Sequence, residues 1–199
     1  MKILVACEFS GRVRDAFRAL GHDAVSCDLL PSIVPGPHIQ GDVRKALKRG
    51  WDLMVAHPPC TYLASSGLHW NLHRPGREQL TQDALDLVLE LLDAPIEKIA
   101  IENPIGRIST AIQPPDQVIQ PYQFGHNASK STCLWLLGLP QLVPTRRVQP
   151  MWFTEKGHAR YANQTPQGQD KTGPRADRWK LRSLTYPGIA RAMAQQWGS

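Results

Sequence analysis

The sequence predicts an α/β fold, a mostly parallel β-sheet with helices on both faces. Two observations carry this. Short apolar runs alternate with segments of helical spacing from residue 2 to residue 101, and strand, helix, strand, helix in that rhythm requires crossover connections between parallel strands. Two of the runs also end in proline motifs, His57-Pro58-Pro59-Cys60 and Glu102-Asn103-Pro104, as expected of strands whose carboxyl ends open into loops.

The elements follow in order. Residues 2–6 are apolar and form the first strand; residues 12–20 carry Val13, Ala16, Phe17 and Leu20 at helical spacing, and Gly21 ends that helix as a C-terminal cap. Residues 24–27 are the second strand, ending at Asp28. With prolines at 31, 35 and 37, residues 29–40 read as a loop, after which Gly41-Asp42 leads into a short helix over 43–48. Residues 51–56 are the next strand, and 96–101 another. Between them, 78–92 is a long amphipathic helix with Leu85, Val88, Leu89 and Leu92 on its core face. From Pro187 to Trp197, the spacing of Ile189, Ala190, Met193 and Ala194 predicts a final helix packing beside the first strand. Trp70, Trp135, Trp152, Trp179 and Trp197 form no stacking stripe and are assigned to the core or to loop anchoring.

At 199 residues the chain is the size of one α/β domain, so 1–199 is read as a single unit. Its four cysteines, Cys7, Cys27, Cys60 and Cys133, include no C-x-x-C pair, which argues against a zinc site or a disulfide framework and for a reducing compartment. No metal is expected. No apolar stretch approaches a membrane span, and the start runs into Cys7-Glu8 instead of a cleavage site, as for a cytoplasmic protein without a membrane partner. Charge is uneven: from Lys130 onward eleven Lys and Arg stand against three acids, net +8, while the first 129 residues hold twelve against fourteen, net −2. Residues 139–178 read as a basic, Pro-rich loop region, which either attracts phosphates or stays solvated.

The carboxyl ends of the expected strands collect Glu8, Asp28, Asp42, Cys60 and Glu102, where ligands lie in open α/β sheets. A thiol and a carboxylate on one sheet edge suit chemistry in which sulfur adds to an electron-poor ring while a proton is supplied. The plain alternative is a small buried cysteine and a surface glutamate. In the first turn, Cys7-Glu8-Phe9-Ser10-Gly11-Arg12, a small residue and a glycine let a ligand approach backbone amides at a helix start, although this is not a GxGxxG fingerprint. Asp28 either accepts from ribose hydroxyls or only ends its strand. Asp42 either accepts from an adenine amino group or caps the helix that follows.

Taken in order, Phe9-Ser10-Gly11, Asp28, Gly41-Asp42, Pro58-Pro59-Cys60 with Ser65, Ser66 and Gly67 behind it, and Glu102-Asn103-Pro104 resemble the motif series of cytosine-5 DNA methyltransferases. The chain is especially similar to small bacteriophage-encoded methyltransferase-like proteins that lack the large target recognition domain; the segments 130–136 and 182–190 match stretches that recur there. The resemblance covers residues 1–138 and 179–197. It implies a Rossmann-like S-adenosylmethionine-dependent methyltransferase fold, with S-adenosylmethionine held by Glu8, Phe9, Ser10, Gly11, Asp28, Asp42 and Pro58. The implied substrate is cytosine in DNA, contacted by His57, Pro59, Asn103 and Lys130, with Arg146 or Arg147 as alternatives to Lys130. Cys60 is then the nucleophile at carbon 6, and a protonated Glu102 the acid at ring nitrogen 3. Carbon 5, so activated, takes the methyl group, loses its proton and expels Cys60.

Departures from the family pattern are specific. His57 stands where glycine or another small residue is common, and either contacts the base or fills the loop. Thr61 replaces a common glutamine, and Arg12-Val13-Arg14 replaces further glycines. Residues 139–178 stand where the family inserts its DNA-reading domain, leaving specificity to this loop or to a protein partner. Arg182 and Ser183 either reach the cofactor pocket or lead into the final helix. Three activities remain open: methyl transfer to cytosine in DNA, methyl transfer to a free cytosine nucleotide (dCMP), and non-catalytic nucleic-acid binding on the same fold. Amino-group methylation would place an aromatic residue at position 60.

Overall fold

Ile3, Leu4, Val5 and Ala6 are all fully buried, which a strand achieves only when both faces of its sheet are covered. A computed structural model describing residues 1–199 places them in β1 (Lys2–Ala6), inside a seven-stranded sheet. The other strands are β2 (Asp23–Asp28), β3 (His38–Gln40), β4 (Leu53–Ala56), β5 (Lys98–Pro104), β6 (Gln117–Ile119) and β7 (Thr132–Leu137). Their order is β3-β2-β1-β4-β5-β7-β6, parallel from β3 to β5, with β7 antiparallel to both its neighbours. The helices are α1 (Arg12–Arg18), α2 (Ser65–Leu68), α3 (Arg77–Leu92), α4 (Ile108–Ala111), α5 (Arg178–Ser183) and α6 (Pro187–Trp197).

Alternation along β1 sorts the core into two layers. Ile3 and Val5 pack with Val13 and Phe17 of α1 and Ile189, Met193 and Trp197 of α6. Leu4 and Ala6 pack on the opposite face with Leu85, Val88 and Leu91 of α3. The protein is therefore α/β, with a mostly parallel mixed sheet and helices on both faces. No helix is long and apolar enough to cross a membrane.

Several expected elements differ. β3 lies in the proline-rich stretch read as a loop, because His38 to Gln40 clear the last proline and pair with Ser26 to Asp28 at the sheet edge. The helix over 43–48 is a single 3₁₀ turn, Val43–Lys45, closed by the Ala46 N–H donating to Val43 O. β5 continues through Glu102-Asn103-Pro104, since β7 extends its ladder to Pro104 after the β4 ladder has stopped at Ile101. On α3 the buried positions are Thr81, Leu85, Val88 and Leu91, so Leu89, 46% exposed, lies outside the core face. Trp135 and Trp197 are core, but Trp70, Trp152 and Trp179 are exposed.

Residues 139–178 contain a small hairpin, β8 (Trp152–Phe153) with β9 (Ala159–Arg160). Its neighbourhood is fastened to the stretch before β7: Tyr122 and Tyr161 stack at 4.5 Å, and Asn163 exchanges two hydrogen bonds with Ser129.

Arg14, which no sequence spacing marks, is fully buried. Its guanidinium donates to Asp15 Oδ1 at 2.7 Å, Pro35 O at 2.9 Å, Ser26 Oγ at 3.2 Å and Ser32 Oγ at 3.3 Å, tying α1 to β2 and to the loop before β3. Gly36 passes so close, at φ +144°, that a Cβ there would lie 2.6 Å from the guanidinium carbon. Arg14→Ala is expected to lower stability by about 3 kcal/mol, because it orphans buried acceptors and leaves a cavity. The check is the urea-unfolding midpoint at unchanged m.

Candidate active site

The parallel ladders set Cys27, Ala6, Ala56 and Ile101 on one line across the sheet. One residue further along each strand come Asp28, Cys7, His57 and Glu102, a row at the carboxyl ends. Because β2 and β4 flank β1 on opposite sides, this row straddles the point where the strand order reverses, where open α/β sheets leave a crevice.

His57 and Glu102 are neighbours in the row. His57 Nδ1 lies 2.9 Å from Glu102 Oε2, with side-chain exposures of 8% and 14%. A carboxylate only accepts, so the imidazole carries a proton on Nδ1. Burial pushes the Glu102 carboxyl up, but the His57 hydrogen bond and the Lys130 charge outweigh it and hold the group below its ordinary value. These contacts favour the carboxylate form of Glu102 in the free site over the protonated acid of the sequence expectation. His57 does more than fill the loop, since it pairs with this carboxylate.

Cys60 follows buried Pro58 and exposed Pro59, and is itself exposed. Its loop is pinned at three places. Asn103 Nδ2 donates to Pro58 O at 2.8 Å. The N–H groups of Leu63 and Ala64 donate to Cys60 O. Ala64 bridges to Gly106, where a Cβ would meet Leu63 O at 1.9 Å. Buried Asn103, expected to contact substrate, thus fastens the loop that carries the thiol. Desolvation pushes the Cys60 thiol up; Lys130 opposes this, Glu102 adds to it, and Arg182 opposes it further.

Glu102 opens onto a small pocket shared with Lys130, Thr132, Thr185, Tyr186 and Ile189. Lys130 Nζ donates to Arg182 O at 2.8 Å. Arg146 and Arg147 lie elsewhere, Arg146 in backbone pairing with Gln123 and Gly125, and Arg147 beside Tyr161. The stretch from α5 to α6 crosses the site: Trp179 stands 6.2 Å from Phe9, and Arg12 Nη1 donates to Thr185 O at 2.8 Å. Arg182 and Ser183 are thus part of a strap over the site as well as a lead-in to α6. Thr132, Thr185 and Tyr186 were not singled out as site residues, although they lie in the segments 130–136 and 182–190 on which the resemblance partly rests.

In the first turn, Cys7 and Gly11 take left-handed backbone conformations, φ 56° and 72°. A side chain at Gly11 would stand 2.5 Å from Val34 Cγ2. Glu8 is buried, and its Oε1 accepts from Ser10 Oγ at 2.6 Å and from Val13 N at 3.0 Å, while Ser10 Oγ accepts from Arg12 N. These two side chains, expected to hold cofactor, are largely engaged in ordering the start of α1. Phe9 is buried at the edge of the same turn. Asp28 Oδ1 accepts from Leu30 N at 2.9 Å, and burial pushes its carboxyl up. Asp42 Oδ1 accepts from Arg44 N at 3.0 Å, the capping role. Three buried polar atoms at the ends of β1, β4 and β5 have no partner, Glu8 Oε2, His57 Nε2 and Asn103 Oδ1. Buried polar atoms are ordinarily paired, so each of these three strand-end atoms can take a ligand or a water as its partner.

Burial, with the charge of Asp28 next, pushes the Cys7 thiol up to about 12, and Cys27 to about 11. A thiol harder to ionise folded than unfolded contributes stability below its ordinary value of 9.0 that is lost as pH rises beyond it. Cys7→Ser is expected to flatten this alkaline loss by about 1.4 kcal/mol per pH unit above about pH 9, measured by urea unfolding across the range.

No family model matches the chain, and neither does any curated protein.

Proposed function

We propose that this protein transfers a methyl group from S-adenosylmethionine to carbon 5 of cytosine in DNA, through a covalent adduct on Cys60. The observation that carries the reading is the pairing of thiol and acid. Cys60 lies on the loop after β4 and Glu102 within the neighbouring strand β5, the charge of Glu102 acts on the thiol, and Lys130 acts on both. The strand order, with reversed β7 inserted between β5 and β6, fits a methyltransferase sheet and adds support.

Cys60, as thiolate, forms a bond to carbon 6 of the ring. Glu102 takes up one proton from solvent as the substrate binds; the carbon 5–carbon 6 π pair then shifts between carbons 4 and 5, and the carbon 4–nitrogen 3 pair released onto nitrogen 3 takes that proton from Glu102. Lys130 lowers the cost of the thiolate, and His57 Nδ1–H stays on Oε2 to stabilise the carboxylate left behind. The fit of a cofactor rests on two features: Glu8 Oε2 is buried without a partner, and Asp28 Oδ1 accepts a single backbone hydrogen bond, from Leu30. Phe9, Gly11, Asp28 and Pro58 would hold S-adenosylmethionine there, and it supplies a sulfonium methyl to the nucleophilic carbon 5. Nitrogen 3 returns its proton to Glu102 as the carbon 4–nitrogen 3 double bond reforms; a water molecule then takes the carbon 5 proton, and the released pair forms the carbon 5–carbon 6 double bond and expels Cys60 as thiolate.

Asp28→Ala is expected to weaken S-adenosylmethionine binding about tenfold, the loss of one charge-assisted hydrogen bond, measured by calorimetry. The deciding experiment follows radiolabelled methyl into duplex DNA, single-stranded DNA and dCMP, with Cys60→Ala as control. Label in DNA that depends on Cys60 supports the reading. A second reading, methylation of dCMP, is favoured by the small size of the hairpin in 139–178, which offers little surface for the two grooves of a duplex. Label confined to dCMP would select it. Cofactor binding without any label would point to a missing protein partner or an altered cofactor, and no cofactor binding would select the non-catalytic module.

A further inference from the structure

Trp70 and Trp179 are 40% and 53% exposed, although burying rings of this size is among the larger gains open to a chain. Each has a cation over its ring: the Arg74 guanidinium carbon stands 4.4 Å from the Trp70 centroid, and Lys180 Nζ 5.4 Å from that of Trp179. Both rings sit on segments that border Cys60. Residues 61–76 leave Cys60 directly and are drawn back toward it by Arg77, which donates to Thr61 O at 3.0 Å. α5 arrives from the other side, with Trp179 against Phe9 and the Arg182 carbonyl bound by Lys130, and the charge of Arg182 acts on the Cys60 thiol.

We propose that this rim is a platform for single-stranded DNA, on which bases flanking the target cytosine stack on Trp70 and Trp179 while Arg74 and Lys180 meet their phosphates. Half-exposed rings beside cations suit unpaired bases, because every base has a face to stack and the cations follow the backbone. In a duplex those faces are hidden within the stack, and reaching one requires extrusion and a wide grip on both grooves. The net +8 carried from Lys130 onward gives the electrostatic attraction that a polyanion needs. The choice of strand rests on the methyl-transfer reading for its chemistry, whereas binding to the platform is measurable without turnover.

The test is fluorescence anisotropy of a labelled oligodeoxynucleotide about ten residues long with one cytosine, alone and annealed to its complement. The single strand is expected to bind at least about tenfold more tightly than the duplex. Trp70→Ala and Trp179→Ala should each weaken it about tenfold, and Arg74→Ala or Lys180→Ala should reduce the salt slope by about one counterion. Trp152→Ala, an exposed tryptophan on the β8–β9 hairpin, should change affinity by less than about twofold. The two cation variants keep the platform testable where a tryptophan variant does not fold, as read from its unfolding midpoint. Tighter binding to duplex overturns the platform, as does single-strand affinity indifferent to all four rim changes or equally sensitive to Trp152→Ala. Strand binding with these sensitivities but no methyl transfer upholds the platform and removes the methyl-transfer reading; methyl transfer with no preference for single strands does the reverse.

Discussion

Cys60→Ala is expected to abolish methyl transfer, by at least about 10⁴-fold in kcat, while S-adenosylmethionine affinity stays within about twofold of the parent. The separation follows from position. Cys60 is exposed on the loop after β4, and its carbonyl already anchors the turn through Leu63 and Ala64, so removing the sulfur leaves the backbone in place. The first turn, where the cofactor is proposed to bind, is ordered by contacts among Glu8, Ser10 and Val13 that do not involve Cys60. Without sulfur at carbon 6, carbon 5 of cytosine is too poor a nucleophile to attack a sulfonium methyl. A Cys60→Ala protein that labels DNA at the parent rate would end the covalent mechanism.

Glu102→Gln is expected to lower kcat about 10³-fold, since an amide can hold nitrogen 3 of the ring but cannot deliver a proton to it. Its second signature is in stability. The folded Glu102 carboxyl lies below its ordinary value of 4.5, so the ionised group contributes stability above that value and the contribution is lost as pH falls through the folded one. The parent should therefore lose stability in acid, below about pH 4.5, that Glu102→Gln does not lose. Urea midpoints from neutral pH to about pH 3 read the difference. An identical acid slope in the two proteins would mean that the His57 pair does not hold the carboxylate ionised.

Legibility in the sequence followed the strength of local pattern. β1 and α6 stand where the apolar spacing put them, because each buries a continuous apolar stripe. β3 has no such stripe; it is three residues at a sheet edge and exists because β2 offers it partners. Leu89 shows the limit of helical spacing alone, since it lies four residues from Leu85 yet faces outward while Leu91 takes the buried place. The exposure of Trp70 and Trp179 was invisible for the same reason: residue type favours the interior, and only the surrounding packing decides whether a ring reaches it.

From residue order alone came the alternation of strand and helix, the two proline motifs at strand ends, and the basic excess of the last third, all properties of neighbours along the chain. The register of the parallel strands decided the rest. By aligning Ala56 with Ile101 it brought His57, forty-five positions earlier in the chain, onto Glu102, and it turned Asn103 to the loop of Cys60. The ionisation of Glu102 depends on that contact, because the charge of a buried carboxylate is set by the donors and cations within a few ångströms of it. Such distances belong to the packed sheet and have no counterpart in the spacing of residues along the chain.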